Sequence, residues 1–241
     1  MQCYYSKLDG NGTAVWADAH LDSTGIQQAE VAANFWASQI ISQKIQTPQS
    51  YYVSPLFRAL ETSNITFSRL DLPSKYPFIP TIKELFRESL TGHTCDRRSN
   101  TTYIHKNFPS YQFEAAFAPE DSLWKPLLGE TALDQDLRSR EAVDDMFRSD
   151  SNTYISITSH SGEIASILRG MAAQIGSLKT NSSVVLHHRP FSLNTGAVIP
   201  ILVKVEKIEG KPAATSTESW TTLPTCSSPT TNTETSWSTT L

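Results

Sequence analysis

The chain has 241 residues, 39% of them hydrophobic and 10% aromatic, and its 20 basic against 24 acidic side chains leave a formal charge of −4. That length supports one sizeable core, and the balance provides neither the basic surface nucleic acid requires nor a polybasic patch for a membrane. An anionic ligand must therefore be held by a local cluster of positive groups.

Cys3, Cys95 and Cys226 are odd in number and far apart, so neither a zinc site nor a disulfide framework is expected. The run His93-Thr94-Cys95-Asp96 has metal-friendly types, but no second cluster completes a tetrahedral set. No metal and no cofactor are expected. No apolar run reaches membrane-spanning length, and the first residues lack the apolar core of a signal peptide, which makes a cytoplasmic location the expectation.

In chain order, Asp9-Gly10-Asn11-Gly12 marks a turn. A helix follows, with capping-box spacing in Thr24-Gly25-Ile26-Gln27 and Ile26, Ala29, Ala33 and Ile40 on one face. Ser50-Tyr51-Tyr52-Val53 reads as a buried strand. Ser54 and Pro55 then open a helix packed through Leu56, Ala59, Leu60 and Ser63. Phe78 to Ile82 is a predicted strand, and Glu88 to about Glu120 a long polar loop. An acidic helix over 130–149 should bury Leu133, Leu137, Val143 and Phe147. Tyr154 to Thr158 is a strand, Ser159 to Gly162 a turn, and Glu163 to Arg169 the start of a helix. Residues 171–188 lack a clear period, Ala197 to Val205 reads as a last strand, and the Ser/Thr-rich stretch from Ala213 reads as disordered.

Strands alternating with helices predict an α/β fold, a mainly parallel sheet with helices on both faces. Ligands of such sheets bind beyond the carboxyl ends of the strands. Two strand-to-helix turns each bring a potentially cationic side chain to a helix start: Arg58 after the first strand and His160 after the later one. Helix N-termini attract phosphate dianions, and arginine adds a bidentate fork. If the two turns lie side by side, they form one anion pocket.

The same residues carry a family resemblance. Ser54-Pro55-Leu56-Phe57-Arg58-Ala59-Leu60-Glu61-Thr62 resembles the S-P-L-x-R-A-x-x-T segment of the histidine phosphatase superfamily. Asp18 to Ala29 is similar to its D-x-x-L-T-x-x-G-x-x-Q-A segment, with Asp22 where threonine is usual. Phe86-Arg87-Glu88, Gly92 to Ser99, Thr158 to Ile164 and Thr195 to Pro200 resemble the fungal phosphoglycerate-mutase-like branch.

The resemblance implies a phosphoglycerate-mutase-like fold and a phosphohistidine mechanism acting on a small phosphorylated substrate, with no nucleic acid or membrane partner. It assigns Arg58 to phosphate binding, His160 to the catalytic centre and Glu88 to the proton donor, with Glu84 as substitute. Arg97, Arg98 and His93 are the expected substrate contacts.

Two departures shape the expectation. No Arg-His-Gly occurs in the sequence, so the motif that supplies the family's nucleophilic histidine is absent. His20, His93, His105, His187 and His188 offer no substitute in the right place. Residues 170–187 intervene where the family passes quickly onward, and read as an insertion or a translated intron. The expected organisation is a truncated domain over 1–210 lacking its first strand, then a disordered tail over 211–241. The expected function is a phosphatase inactive in this form; the alternative is a non-catalytic phosphate-ligand or protein-binding module. Oligomeric state is left open.

Overall fold

The computed structural model describes residues 4–177, 194–203 and 220–224. Its centre is a four-stranded sheet in the order β3-β2-β1-β5, with every pairing parallel. The strands are β1 (Ser50–Val53), β2 (Thr81–Ile82), β3 (Gln112–Phe113) and β5 (Ile155–Thr158). A second, antiparallel pair joins β4 (Leu128–Glu130) to β6 (Trp220–Thr222).

Alternation along β1 sends side chains to opposite faces and so creates two cores. On one face Val53 and Ile82 pack with Phe57, Ala59 and Leu60 of α2 (Phe57–Phe67) and with Ile104 and Phe108. On the other, Tyr52, Ile155 and Ile157 meet Phe86, Ala142, Val143 and Met146 of α4 (Ala132–Ser149), and Ile167 of α5 (Ser161–Ser177). Helix α1 (Ser23–Ser42) covers α2. The α/β class with helices on both faces is observed.

Several local expectations are corrected. Helix α1 is capped by Asp22, whose Oδ1 accepts from Gly25 N at 2.8 Å. It buries Gly25, Ala29 and Ala32, and leaves Ile26 exposed. Helix α2 begins at Phe57, two residues beyond Pro55, with Leu56 in an extended conformation. Proline disfavours helical geometry in the residue before it, which keeps Ser54 out of the helix. The free N–H of Phe57 is instead met by Asp18 Oδ1 at 2.8 Å. Asp18 has φ 45, a left-handed conformation that aspartate tolerates.

The expected polar loop after Glu88 holds a 3₁₀ turn (Thr94–Asp96), α3 (Thr101–Asn107) and β3. Its apolar anchors Ile104, Phe108 and Tyr111 are buried, so it belongs to the core. Helix α4 is rotated from the expected stripe: Gln135, Ser139, Ala142, Val143 and Met146 face inward, while Leu133 is 66% exposed. Its N-terminus carries a capping box between Thr131 and Asp134. The expected strand from Phe78 shrinks to β2.

Residues 171–177 continue α5, and 178–193 lie outside the described residues, as does most of the expected insertion. Residues 197–203 form no ladder, and 204–205 lie outside the described part. Within the stretch read as a disordered tail, Trp220–Thr222 forms β6. Strand β5 pairs only with β1 and is an edge of the sheet among the described residues. No helix among them is long and apolar enough to cross a membrane.

Candidate active site

Strands β1 and β5 run side by side in register, Val53 beside Thr158, and the pairing extends one step when Ser54 N donates to Thr158 O at 3.0 Å. The two turns that follow are therefore neighbours, and the condition set by the sequence is met. Ser54 Oγ lies 2.7 Å from His160 Nε2, joining the end of one turn to the start of the other. Ser54 is fully buried and His160 nearly so. The same hydroxyl accepts from Leu56 N at 3.3 Å. The imidazole is thus held by one ring nitrogen, and Nδ1 has no hydrogen-bond partner among the described residues.

The electrostatics of His160 follow from its place. Burial, then the charges of Arg58, Arg87 and Arg138, hold its pKa well below the ordinary histidine value. It is a neutral imidazole at pH 7. Because Arg58 acts on it, the guanidinium and the ring belong to one electrostatic neighbourhood.

Arg58 stands in the first turn of α2, its side chain 23% exposed. Its Nη1 donates to Cys95 O at 2.7 Å and its Nη2 to Asp96 Oδ1 at 2.9 Å. Glu88 reaches the other turn: its Oε2 accepts from Gly162 N at 3.3 Å, at the start of α5, while Oε1 accepts from Ser89 N. Ser159 Oγ donates to Phe86 O at 2.8 Å and keeps the strand of residues carrying Glu88 against the His160 turn. A carboxylate at the positive end of a helix is where an anion is favoured.

The three expected substrate contacts separate. Arg98 is buried, its Nε on Glu84 and its Nη2 on Ala118 O and Glu120 O, with the guanidinium over the Phe117 ring. That placement ties the loop together and turns its charge away from solvent. Glu84, the substitute acid, is sequestered between Arg87 and Arg98, and burial raises its pKa. Arg97 is partly exposed, pairs with Asp9 at 2.9 Å and covers Trp124. His93 is half-buried beside Cys95 and Asp96, so it stands next to the residues that hold Arg58.

His93, Cys95 and Asp96 bring potential ligand atoms within 4.8 Å of one another. Both Asp96 oxygens are already engaged, by Arg58 and by Thr91 Oγ1 at 2.7 Å. Burial and the neighbouring Asp96 raise the pKa of the Cys95 thiol, favouring the protonated form, which does not ligate metals. The cation of this cluster is Arg58.

Sequence reasoning missed a layer of buried charge beneath the site. Arg87 is fully buried, its fork on both Asp121 oxygens at 2.7 Å and its Nη2 also on Asp96 O at 2.5 Å. Arg138 on α4 holds Glu130 at 2.7 Å and Glu163 at 3.1 Å, and donates to Leu85 O and Arg87 O. Neither Glu163 oxygen has a well-aligned donor, and burial pushes its pKa up to about 7. Asp18, buried under α2, accepts from Phe57 N and from Ser99 N at 2.7 Å, and burial raises its pKa despite both bonds. Arg87 falls within the Phe86-Arg87-Glu88 motif, but nothing in the sequence marks Arg87 or Arg138 as buried, because an arginine is ordinarily a surface group.

Residues 8–183 match the model of the histidine phosphatase superfamily (branch 1). A probable phosphoglycerate mutase of Arthroderma benhamiae is 47% identical over 203 residues, which cover 84% of this chain and 56% of that protein. Phosphomutase-like protein 3 of Candida albicans is 33% identical, with 85% of this chain and 58% of that protein covered. The chain thus spans little more than half the length of these relatives. Among solved structures, a mycobacterial glucosyl-3-phosphoglycerate phosphatase aligns with a TM-score of 0.42 at 22% identity, covering 68% of this chain and 74% of the other.

Proposed function

We propose a phosphomonoesterase function, taking as premise that this chain belongs to the histidine phosphatase superfamily. Arg58 and His160 bind the equatorial oxygens of a small phosphomonoester, and Glu88 gives its proton to the leaving oxygen as the ester P–O bond breaks. The attacking imidazole, which takes the phosphoryl group as a phosphohistidine before water releases orthophosphate, is supplied from outside these 241 residues, since no Arg-His-Gly occurs among them. The chemistry suits the types: positive groups stabilise the transferring phosphoryl, and a carboxyl group beside phosphate can hold its proton.

The observation that carries this reading is the parallel β1–β5 pairing, which sets the Arg58 and His160 turns side by side. The ring is neutral before the ligand arrives, and it can donate its N–H to a phosphate oxygen or gain a second proton from solvent as the dianion binds.

The test compares hydrolysis of an aryl phosphate by this chain and by a version extended at its N-terminus with an Arg-His-Gly strand, alongside orthophosphate titration of both. Orthophosphate binding by both, background turnover by the first and His160-dependent turnover by the second are expected. Turnover by the short chain would refute the assignment of the nucleophile. Binding without turnover in either would make the chain a phosphate-binding module, and no binding would remove the site altogether.

A further inference from the structure

The charge balance around Arg58 carries one step beyond the functional reading, and rests on it. Arg87 and Arg138 are matched by Asp121, Glu84, Glu130 and Glu163, which leaves Arg58 as the guanidinium that meets an arriving anion. A phosphatase must bind orthophosphate and also let that product go. One carboxylate stands directly on the arginine nearest solvent. Asp96 is 6% exposed and holds Arg58 Nη2 through Oδ1 at 2.9 Å. It is itself fixed on two other sides: Thr91 Oγ1 donates to Oδ2 at 2.7 Å, and Arg87 Nη2 donates to its carbonyl at 2.5 Å. The neighbouring Cys95 carbonyl takes the other end of the Arg58 fork.

We propose that Asp96 is a positioning and charge-tuning residue of the phosphate site: it fixes the Arg58 fork, and its negative charge limits how tightly a bound phosphate is kept. The two roles have opposite signs. Fixing the guanidinium in advance favours binding, because less side-chain freedom is lost when the anion arrives. A carboxylate within a few ångströms of a bound dianion opposes it, because like charges repel strongly in a partly buried site. The first role needs only an acceptor; the second needs the charge.

Substitutions separate them. Asp96→Asn keeps an oxygen for Arg58 and a polar group for Thr91 while removing the charge. Asp96→Ala removes both. Orthophosphate titration of the full chain, followed by calorimetry, should show the amide variant binding more tightly, by roughly three- to tenfold, and the alanine variant more weakly than the amide variant. A purely structural Asp96 would instead weaken binding in both, in step with their loss of thermal stability. Equal or weaker binding by Asp96→Asn overturns the proposal, as does loss of the fold in that variant, which would assign Asp96 to the scaffold. Failure of the unaltered chain to bind orthophosphate removes the phosphate site itself and, with it, any tuning of that site.

Discussion

Replacing Arg138 with methionine is expected to destabilise the protein by about 3–5 kcal/mol, the cost of leaving buried carboxylates without their cation. The side chain is almost wholly enclosed between α4, β4 and α5, and two buried acids, Glu130 and Glu163, depend on it. Methionine fills much of the volume, so the loss reports charge and hydrogen bonding more than a cavity. It also severs the donation to Leu85 O and Arg87 O, which fixes the segment leading to Glu88.

The pH dependence has a defined sign. Glu163 has a folded-state pKa raised to about 7 from an ordinary value of 4.5, chiefly by burial. Its protonated form suits the fold, so its contribution is most favourable below pH 4.5 and is lost as pH rises through 7. The penalty of Arg138→Met should therefore be larger at pH 8, where Glu163 is driven to ionise, than at pH 5, where it keeps its proton. Urea denaturation at the two pH values measures both. A cost under about 1 kcal/mol at pH 8 would mean that water reaches these acids and the charge layer is not buried.

Arg58→Ala should weaken orthophosphate binding by roughly 30- to 100-fold, the usual loss when a charge-assisted fork on an anion is removed. Stability should change far less, because the Arg58 side chain is partly exposed and paired with one carboxylate. The mutation frees Asp96, which then adds repulsion at the site, and this places the effect toward the upper end of the range. Calorimetric titration measures it. A change under threefold would mean that the guanidinium points away from the ligand, as its bonds to Cys95 and Asp96 alone would permit.

How much of this was legible before the structure depends on whether the signal was local. The β1 and β5 strands were readable from short β-branched and aromatic runs, and their turns from Ser54-Pro55 and Ser161-Gly162. The Arg58 and His160 positions followed, since each stands a fixed few residues past a strand end. What was not legible is tertiary. Asp18 caps α2 from 39 residues away, a pairing no local motif encodes. Ser54 stands where the sequence opens a helix, but its hydroxyl is drawn to His160 across 106 residues. The segment after Glu88 resembles a loop in sequence because its polar residues outnumber its apolar ones; Ile104, Phe108 and Tyr111 nonetheless anchor it. The buried face of α4 is hidden from the sequence for a related reason. Its buried stripe includes Gln135 and Ser139, whose polar side chains bond to Ser89 and Ser166, and hydrophobic periodicity does not register such contacts. Arg98 is the reverse case: a basic residue in a polar segment suggests a ligand contact, whereas the structure buries it against Glu84.

Everything functional rests on a guanidinium and an imidazole from distant parts of the chain closing on one anion. The most direct measurement is the titration of the His160 imidazole by NMR of histidine-labelled protein, with and without saturating orthophosphate. The free ring should titrate well below the ordinary histidine range, and its apparent pKa should rise when phosphate binds, with no such rise in Arg58→Ala at the same phosphate concentration. A His160 resonance indifferent to phosphate, in a chain that binds phosphate, would contradict the shared site.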